Sequence, residues 1–356
     1  MKIVIKIGTQ SILNSDGSPI EPVLLKVVNQ VTQLLKAKHH VILVSSGAVG
    51  SGRKISNNFL QKQYNNTVGE KQLLASIGQP ELINIYSSLF KNENILVSQL
   101  LLTKQDFQTR QHYLNIARLL FELSKHQNII PIINENDSVA IEELMFTDND
   151  ELAGLIAAQV NADYLIILTN VDGVFTGDPK HPDSKLINFI DPNQGWPAVS
   201  TSKSSLGRGG MLSKLNTARK MASLGITTTI ANINSDLVIN RIINKESLGT
   251  TILAKKKTSN IKRWIALHNK KQLPSITIND NLLSLLKENK KIISILPVGI
   301  VSFSGEWKKG DLVDILNLRN ERVGMGLARY DDNRLKEYLG EKNKPAIIHY
   351  DYLHIL

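Results

Sequence analysis

The chain contains no cysteine. Disulfides, thiolate-bound zinc, iron–sulfur clusters and cysteine nucleophiles are thereby excluded. No run of 18 apolar residues occurs, and the opening MKIVIKIGTQ lacks the apolar core of a secretion signal. A cytoplasmic protein with no membrane span is therefore expected. Two common nucleotide-binding patterns are missing as well. There is no G-x-x-x-x-G-K-[ST], and the glycines of V-S-S-G-A-V-G-S-G-R (44–53) do not fall into G-x-G-x-x-G.

What is present is a globular composition, with 42% hydrophobic and 21% charged residues in 356. That is enough for a sizeable core and long enough for two domains. The net charge of +10 is uneven. Residues 251–356 carry 19 basic and 11 acidic side chains (+8), against 23 and 21 (+2) in residues 1–250. The excess marks the tail as a module facing an anionic partner or as a solubilised surface; the count leaves both open.

Up to about residue 250, apolar runs alternate with amphipathic stretches. Strands are predicted at Ile3–Ile7, Val41–Val44, Ile95–Leu102, Ile129–Ile133 and Tyr164–Leu168. Helices are predicted over Pro22–Ala37, Tyr113–His126 and Asp150–Val160, and from 208–214 to about Leu224. This alternation predicts an α/β fold, a three-layer αβα sandwich around a mainly parallel sheet. Beyond the basic KKKTSN (255–260), short strand candidates at Ser275–Ile278, Val298–Phe303, Asp311–Leu316, Glu321–Ala328 and Ala346–His349 predict a small β-rich domain. The expected domains are 1–254 and 265–356.

In a parallel sheet, ligands gather at the carboxyl ends of the strands. The predicted strand exits are Gly8-Thr9, Ser45-Ser46-Gly47, Asn134–Asp137 and Thr169-Asn170. All are small or polar, as a shared crevice requires, although turns use the same residues. Four motifs carry chemistry. K-I-G-T (6–9) sets an ammonium beside backbone N–H groups. The glycines at 47, 50 and 52 allow close backbone approach, with Ser45 and Ser46 adding hydroxyls. N-E-N-D-S-V-A (134–140) and T-D-N-D-E-L (147–152) bring carboxylates and amides that suit a zwitterion: Asp137 or Asp148 for its ammonium, amide and N–H donors for its carboxylate. Asp148 or Asn149 could equally be a helix N-cap. R-G-G-M-L-S-K (208–214) opens a helix with a lysine one turn in. Lys6 and Lys214 could thus bracket a phosphoryl group in transfer.

These segments resemble the amino acid kinase superfamily, in particular its branch that phosphorylates glutamate for proline biosynthesis. Further matching segments are K-Q-L-L-A-S-I-G-Q (71–79), Q-L-L-L-T (99–103), P-I-I-N-E-N-D-S-V (131–139), L-T-N-V-D-G-V-F (168–175) and G-G-M-L-S-K (209–214). The tail, with L-P-V-G-I (296–300), F-S-G-E-W-K-K-G-D (303–311) and G-L-A-R-Y (326–330), resembles a PUA domain, a small β-barrel. The resemblance implies ATP with Mg²⁺ as the phosphoryl source and L-glutamate as the acceptor. It implies Lys6 and Lys214 as phosphoryl-stabilising residues oriented by Asp150, and Ser46, Asp137 and Asn149 as glutamate ligands with Asn134 close by. Thr169, Asn170 and the loop Arg208, Gly209, Gly210, Met211, Leu212, Ser213 and Lys214 would bind ATP, with Gly8 and Gly47 near its phosphates.

L-Proline as feedback inhibitor, a homodimer or homotetramer, and transfer of the acyl phosphate to a glutamyl phosphate reductase are implied in the same way. Asn170 stands where the family often has aspartate, and Arg208 where threonine is common. Thr169–Gly173 is similar to UMP kinases, which keeps a nucleotide acceptor in view. RNA binding through the basic tail is the rival of a different class, with Trp307, Tyr330, Tyr350 and Tyr352 as candidate stacking residues.

Overall fold

The computed structural model describes residues 1–356 other than 63, 66, 109, 141–144, 147, 180, 198–209, 255–272, 289–292 and 356. Two units result, Met1–Lys257 and Thr258–Leu356. In chain order the first contains β1 (Lys2–Ile7), α1 (Thr9–Ile12), α2 (Glu21–Lys36), β2 (His40–Ser45), α3 (Ala48–Leu60), α4 (Val68–Lys91) and β3 (Leu96–Leu102). It continues with α5 (Arg110–Leu123), β4 (Ile129–Glu135), α6 (Asn149–Val160), β5 (Tyr164–Thr169), β6 (Val174–Phe175), β7 (Leu186–Ile187) and β8 (Phe189–Ile190). It ends with α7 (Met211–Ser223), β9 (Thr227–Asn232), α8 (Val238–Ile243) and β10 (Thr250–Ile252).

A strand that is apolar at nearly every position must be covered on both faces. β1 and β5 are such strands, and they lie side by side in the middle of an eight-stranded sheet of order β3-β4-β2-β1-β5-β9-β10-β8. The six strands from β3 to β9 are mutually parallel. Only the far edge reverses, with β10 antiparallel to β9 and β8 following β10. Side chains alternate across a strand. Ile3, Ile5 and Ile7 accordingly join one core cluster with Val27 and Val31 of α2, Leu82, Tyr86 and Phe90 of α4, and Ile239 of α8. Val4 and Lys6 face the opposite layer, where α6 crosses β1 and packs on α7. Each fully buried Ile or Leu of this core contributes about 1.5–3 kcal/mol.

Helices α3 and α4 were not expected from the sequence. The glycines at 47, 50 and 52 read as a ligand loop, yet the chain is helical from Ala48. Their reason is packing: a Cβ on Gly52 would lie 1.8 Å from the Leu74 carbonyl oxygen, and one on Gly78 1.9 Å from that of Ala48. The two helix backbones therefore touch where they cross. β9, with three consecutive threonines, is the other major element the apolar pattern concealed.

The second unit contains β11 (Ser275–Ile278), α9 (Asp280–Glu288), β12 (Ile300–Ser304), β13 (Leu312–Leu316), β14 (Arg322–Leu327), α10 (Asp332–Tyr338) and β15 (Leu353–Ile355). Its five strands run in the order β12-β11-β13-β14-β15 around a separate core that includes Ile276, Val313, Ile315 and Leu335. Ala346–His349, expected as a strand, makes only the isolated bridge Ile295–Ile348. Trp307 and Tyr330, read as stacking candidates, are core residues, and the Trp307 indole N–H donates to the Tyr330 carbonyl at 3.1 Å.

Gly78→Ala should separate α3 from α4 and lower the unfolding free energy by about 1–3 kcal/mol in urea titrations. Gly69→Ala, in the same helix with no atom within 4 Å of the added methyl, should instead be neutral or stabilising by up to about 1 kcal/mol.

Candidate active site

Lys6 is the last but one residue of β1 and is 5% exposed. Its face of the sheet meets the first turn of α6, whose start is set locally: Asp148 Oδ1 accepts from the backbone N–H of Asp150 (2.9 Å) and Glu151 (3.1 Å). This is an N-cap, so Asp148 is occupied by the helix. The cap orients the next two side chains in different directions. Asp150 reaches the lysines and Asn149 reaches an amide network.

Asp150 is fully buried between two ammonium groups. Its Oδ1 lies 2.7 Å from Lys6 Nζ, and its Oδ2 accepts from Lys214 Nζ, also at 2.7 Å. Burial alone would raise the Asp150 pKa. Lys6 and then Lys214 outweigh it and hold the carboxyl below its usual value. Burial, aided by the neighbouring Asp150 carboxylate, pushes Asp148 the other way, against the lowering effect of the nearby Ser213 side chain. The three groups Lys6, Asp150 and Lys214 sum to one positive charge. Each ammonium has three donors, so donors remain for an anion on the open side.

Lys214 lies in the first turn of α7, which begins after Gly210 with no side chain capping its N-terminus. Met211, Leu212 and Ser213 complete that turn, and its uncapped N–H groups favour a negative ligand. Arg208 and Gly209 lie outside the described residues. Gly8 follows β1, and a Cβ there would stand in ordinary contact with Lys6 Nζ, at 3.5 Å. Gly47 starts α3 at φ +116°, a conformation that L side chains rarely adopt.

The amide network stands on the neighbouring strand ends. Asn149 Nδ2 donates to Ser46 Oγ (2.7 Å) and to Asn134 Oδ1 (2.9 Å). Asn134 Nδ2 donates to Gln79 Oε1 of α4 at 2.8 Å, while Asn134 Oδ1 also accepts from the Glu135 backbone N–H at 2.9 Å. Asp137 sits half-buried on the turn that leaves β4. Ser45, read as a ligand hydroxyl, is fully buried and shares a hydrogen bond with the Tyr86 hydroxyl at 2.9 Å. Thr169 ends β5, and its carbonyl accepts from Ile233 N–H at 2.9 Å. Asn170 accepts from Ser11 Oγ (2.8 Å) and donates to the Gln10 carbonyl (2.9 Å). It clips the β1 and β5 exits together, and an aspartate could not make the second bond.

Sequence reasoning missed Gln79 as part of this network. Gln79 ends the family-like segment K-Q-L-L-A-S-I-G-Q (71–79), but that segment assigned it no role. Only the structure singles it out: it is 8% exposed, and a buried amide calls for a partner, here Asn134.

A doubly wound sheet with a buried Lys–Asp–Lys clamp at its strand ends defines a phosphoryl-transfer protein of the amino acid kinase type. Residues 1–232 match the amino acid kinase family, and residues 274–348 match the PUA domain. The chain belongs to the amino acid kinase family. It is 39% identical to a glutamate 5-kinase of Bacteroides thetaiotaomicron over 358 residues, covering 99% of this chain and 98% of that one. It is 40% identical to a glutamate 5-kinase of Chlorobaculum tepidum over 360 residues, covering 100% and 97%. Among solved structures, the T. acidophilum isopentenyl phosphate kinase product complex superimposes with a TM-score of 0.51 at 16% identity, covering 71% of this chain and all of that one. That likeness concerns the fold.

Removing Asp150 leaves two buried ammonium groups without a counter-charge. Asp150→Ala should cost about 3–5 kcal/mol of unfolding free energy in urea titrations. The triple change Lys6→Met, Asp150→Leu, Lys214→Met should recover most of that stability, because apolar groups of similar size need no partner.

Proposed function

We propose that this chain transfers the γ-phosphoryl group of ATP to the γ-carboxylate of L-glutamate, giving L-glutamyl 5-phosphate for proline biosynthesis. The observation that carries the reading is the Lys6–Asp150–Lys214 clamp standing beside the Ser46–Asn149–Asn134 amides. The nucleophile is the substrate's own ionised carboxylate, so no protein base is needed. Catalysis is then positioning and charge stabilisation. Lys6 and Lys214 take the oxygens of the moving phosphoryl group from two sides, and Asp150 keeps both ammonium groups aimed. The first turn of α7 and the backbone at Gly8, Gly47 and Thr169 receive the nucleotide. Ser46, Asn149 and Asp137 hold glutamate.

Mg²⁺ fits this arrangement as a companion of ATP. Among the described residues no cluster of three His or carboxylate groups could form a protein cage, and both Asp150 oxygens serve the lysines. Asp148, whose Oδ2 is buried beside the Ser213 side chain and is not used by the helix cap, would hold the ion or one of its waters. When bound, Mg²⁺ would neutralise phosphate charge.

The same reading carries L-proline as an inhibitor that shares the ammonium and carboxylate of the acceptor, a homo-oligomer, hand-over to a glutamyl phosphate reductase, and a cytoplasmic setting. No helix among the described residues is long and apolar enough to cross a membrane. For the basic second unit an RNA partner is the proposal, and it would bind in a salt-sensitive way.

Hydroxamate trapping with L-glutamate, L-aspartate and N-acetylglutamate, with ADP release scored for UMP, tests the assignment. Turnover should require L-glutamate, ATP and Mg²⁺; glutamate-independent ADP release, or none from folded protein, would overturn it. Lys214→Ala should lower kcat roughly 10²–10³-fold with little change in the KM for glutamate. Asp137→Ala should mainly raise that KM.

A further inference from the structure

Amide side chains can be turned end for end, and which end faces a ligand decides what the ligand must be. Here a main-chain group removes the ambiguity. The Glu135 backbone N–H can only donate, and it points at Asn134, so the Asn134 atom it meets is the carbonyl oxygen. The other end of Asn134 is then NH₂, and it faces Gln79, which must present its carbonyl oxygen. The Asn134 oxygen also faces Asn149, which must present its NH₂. The second hydrogen of that NH₂ goes to Ser46 Oγ. Both donors of Asn149 are thereby spent. Its Oδ1 is left buried with no hydrogen-bond partner.

We propose that Gln79 is a positioning residue for the acceptor substrate: it locks an amide relay, Gln79–Asn134–Asn149–Ser46, that presents the Asn149 carbonyl oxygen to the substrate's ammonium group. A buried acceptor must be met by a donor. Of the three ionised groups of an acidic amino acid, the two carboxylates only accept and the ammonium alone donates. Asn149 therefore recognises the amine and not a carboxylate, the reverse of an amide donor role. The Ser46 hydroxyl accepts from Asn149, so its own hydrogen is free to donate to a carboxylate. Gln79 touches no substrate atom in this scheme. It acts by holding Asn134, from a helix pinned to α3 by the Gly52–Gly78 crossing.

The inference rests on the acceptor being L-glutamate, and the test separates the two. Full-length wild type, Gln79→Leu and Gln79→Glu are compared with L-glutamate and with glutarate, the same dicarboxylate without the amine, by hydroxamate trapping at saturating ATP. The wild type should prefer L-glutamate by about 10³-fold or more in kcat/KM, as a site built to bond a polar group rejects the analogue lacking it. Gln79→Leu should lose about 10-fold or more of that preference, mainly through the KM for glutamate. Its KM for ATP should stay unchanged, and its glutarate kcat/KM should fall much less than its L-glutamate kcat/KM, because only the amine is lost from the Asn149 end of the relay. Gln79→Glu keeps an acceptor for Asn134 and should hold the preference within about 3-fold.

An equal fall with both acceptors, or an undiminished preference in Gln79→Leu, would overturn the relay. If Gln79→Leu does not melt cooperatively, Gln79→Met, which keeps the side-chain length, decides by the same criterion. Wild-type protein that does not phosphorylate L-glutamate would instead remove the functional reading, and this proposal with it.

Discussion

A single buried carboxylate organises the first unit. Two ammonium groups packed as deeply as Lys6 and Lys214 would repel each other without a counter-charge between them. Asp150, wholly out of solvent, lies 2.7 Å from each. It can be there only because α6 begins one residue earlier, and α6 begins there because Asp148 caps it. β1 must also turn Lys6 to the α6 face while Ile5 and Ile7 go to the other. The clamp is thus the meeting point of one strand's alternation, one helix cap and the first turn of α7.

The second constraint is the close crossing of α3 and α4. Two glycines in backbone contact look like a packing detail. The crossing also carries Gln79 to Asn134 and holds the start of α3, with Ser46 and Gly47, against the end of β1. Packing and recognition are here the same feature, since a helix displaced by a methyl group would carry its amide away from the relay.

Much of this was legible in the residues. Five of the six parallel strands were marked by apolar runs, because a doubly covered strand has no polar face to hide it. The polar exits of β1, β2, β4 and β5 and the two lysines followed from motif and spacing. α3 was concealed by glycines that propensity counts against a helix, and β9 by threonines that read as polar although Thr228 and Thr229 are buried. In the tail, Trp307 and Tyr330 were candidate stacking residues whose positions the sequence left open, and burial makes them core. The charge of +8 for residues 251–356 said where the basic surplus lies and nothing of its partner.

Local chemistry was already written in the chain: which residue types stand at each strand end, that two lysines are available, and that no thiol, Walker loop or dinucleotide fingerprint takes part. Folding settled the assignments among equals. Asp148 and Asp150 are two carboxylates in one D-N-D triplet, yet one caps a helix and the other binds lysines 144 and 64 residues away. Ser45 and Ser46 are adjacent hydroxyls, yet one is spent on Tyr86 and the other faces Asn149. The direction of each amide depends on partners such as Gln79 and Asn134, 55 residues apart. A hydrogen bond has a donor and an acceptor end, and only the fold brings the group that fixes which is which.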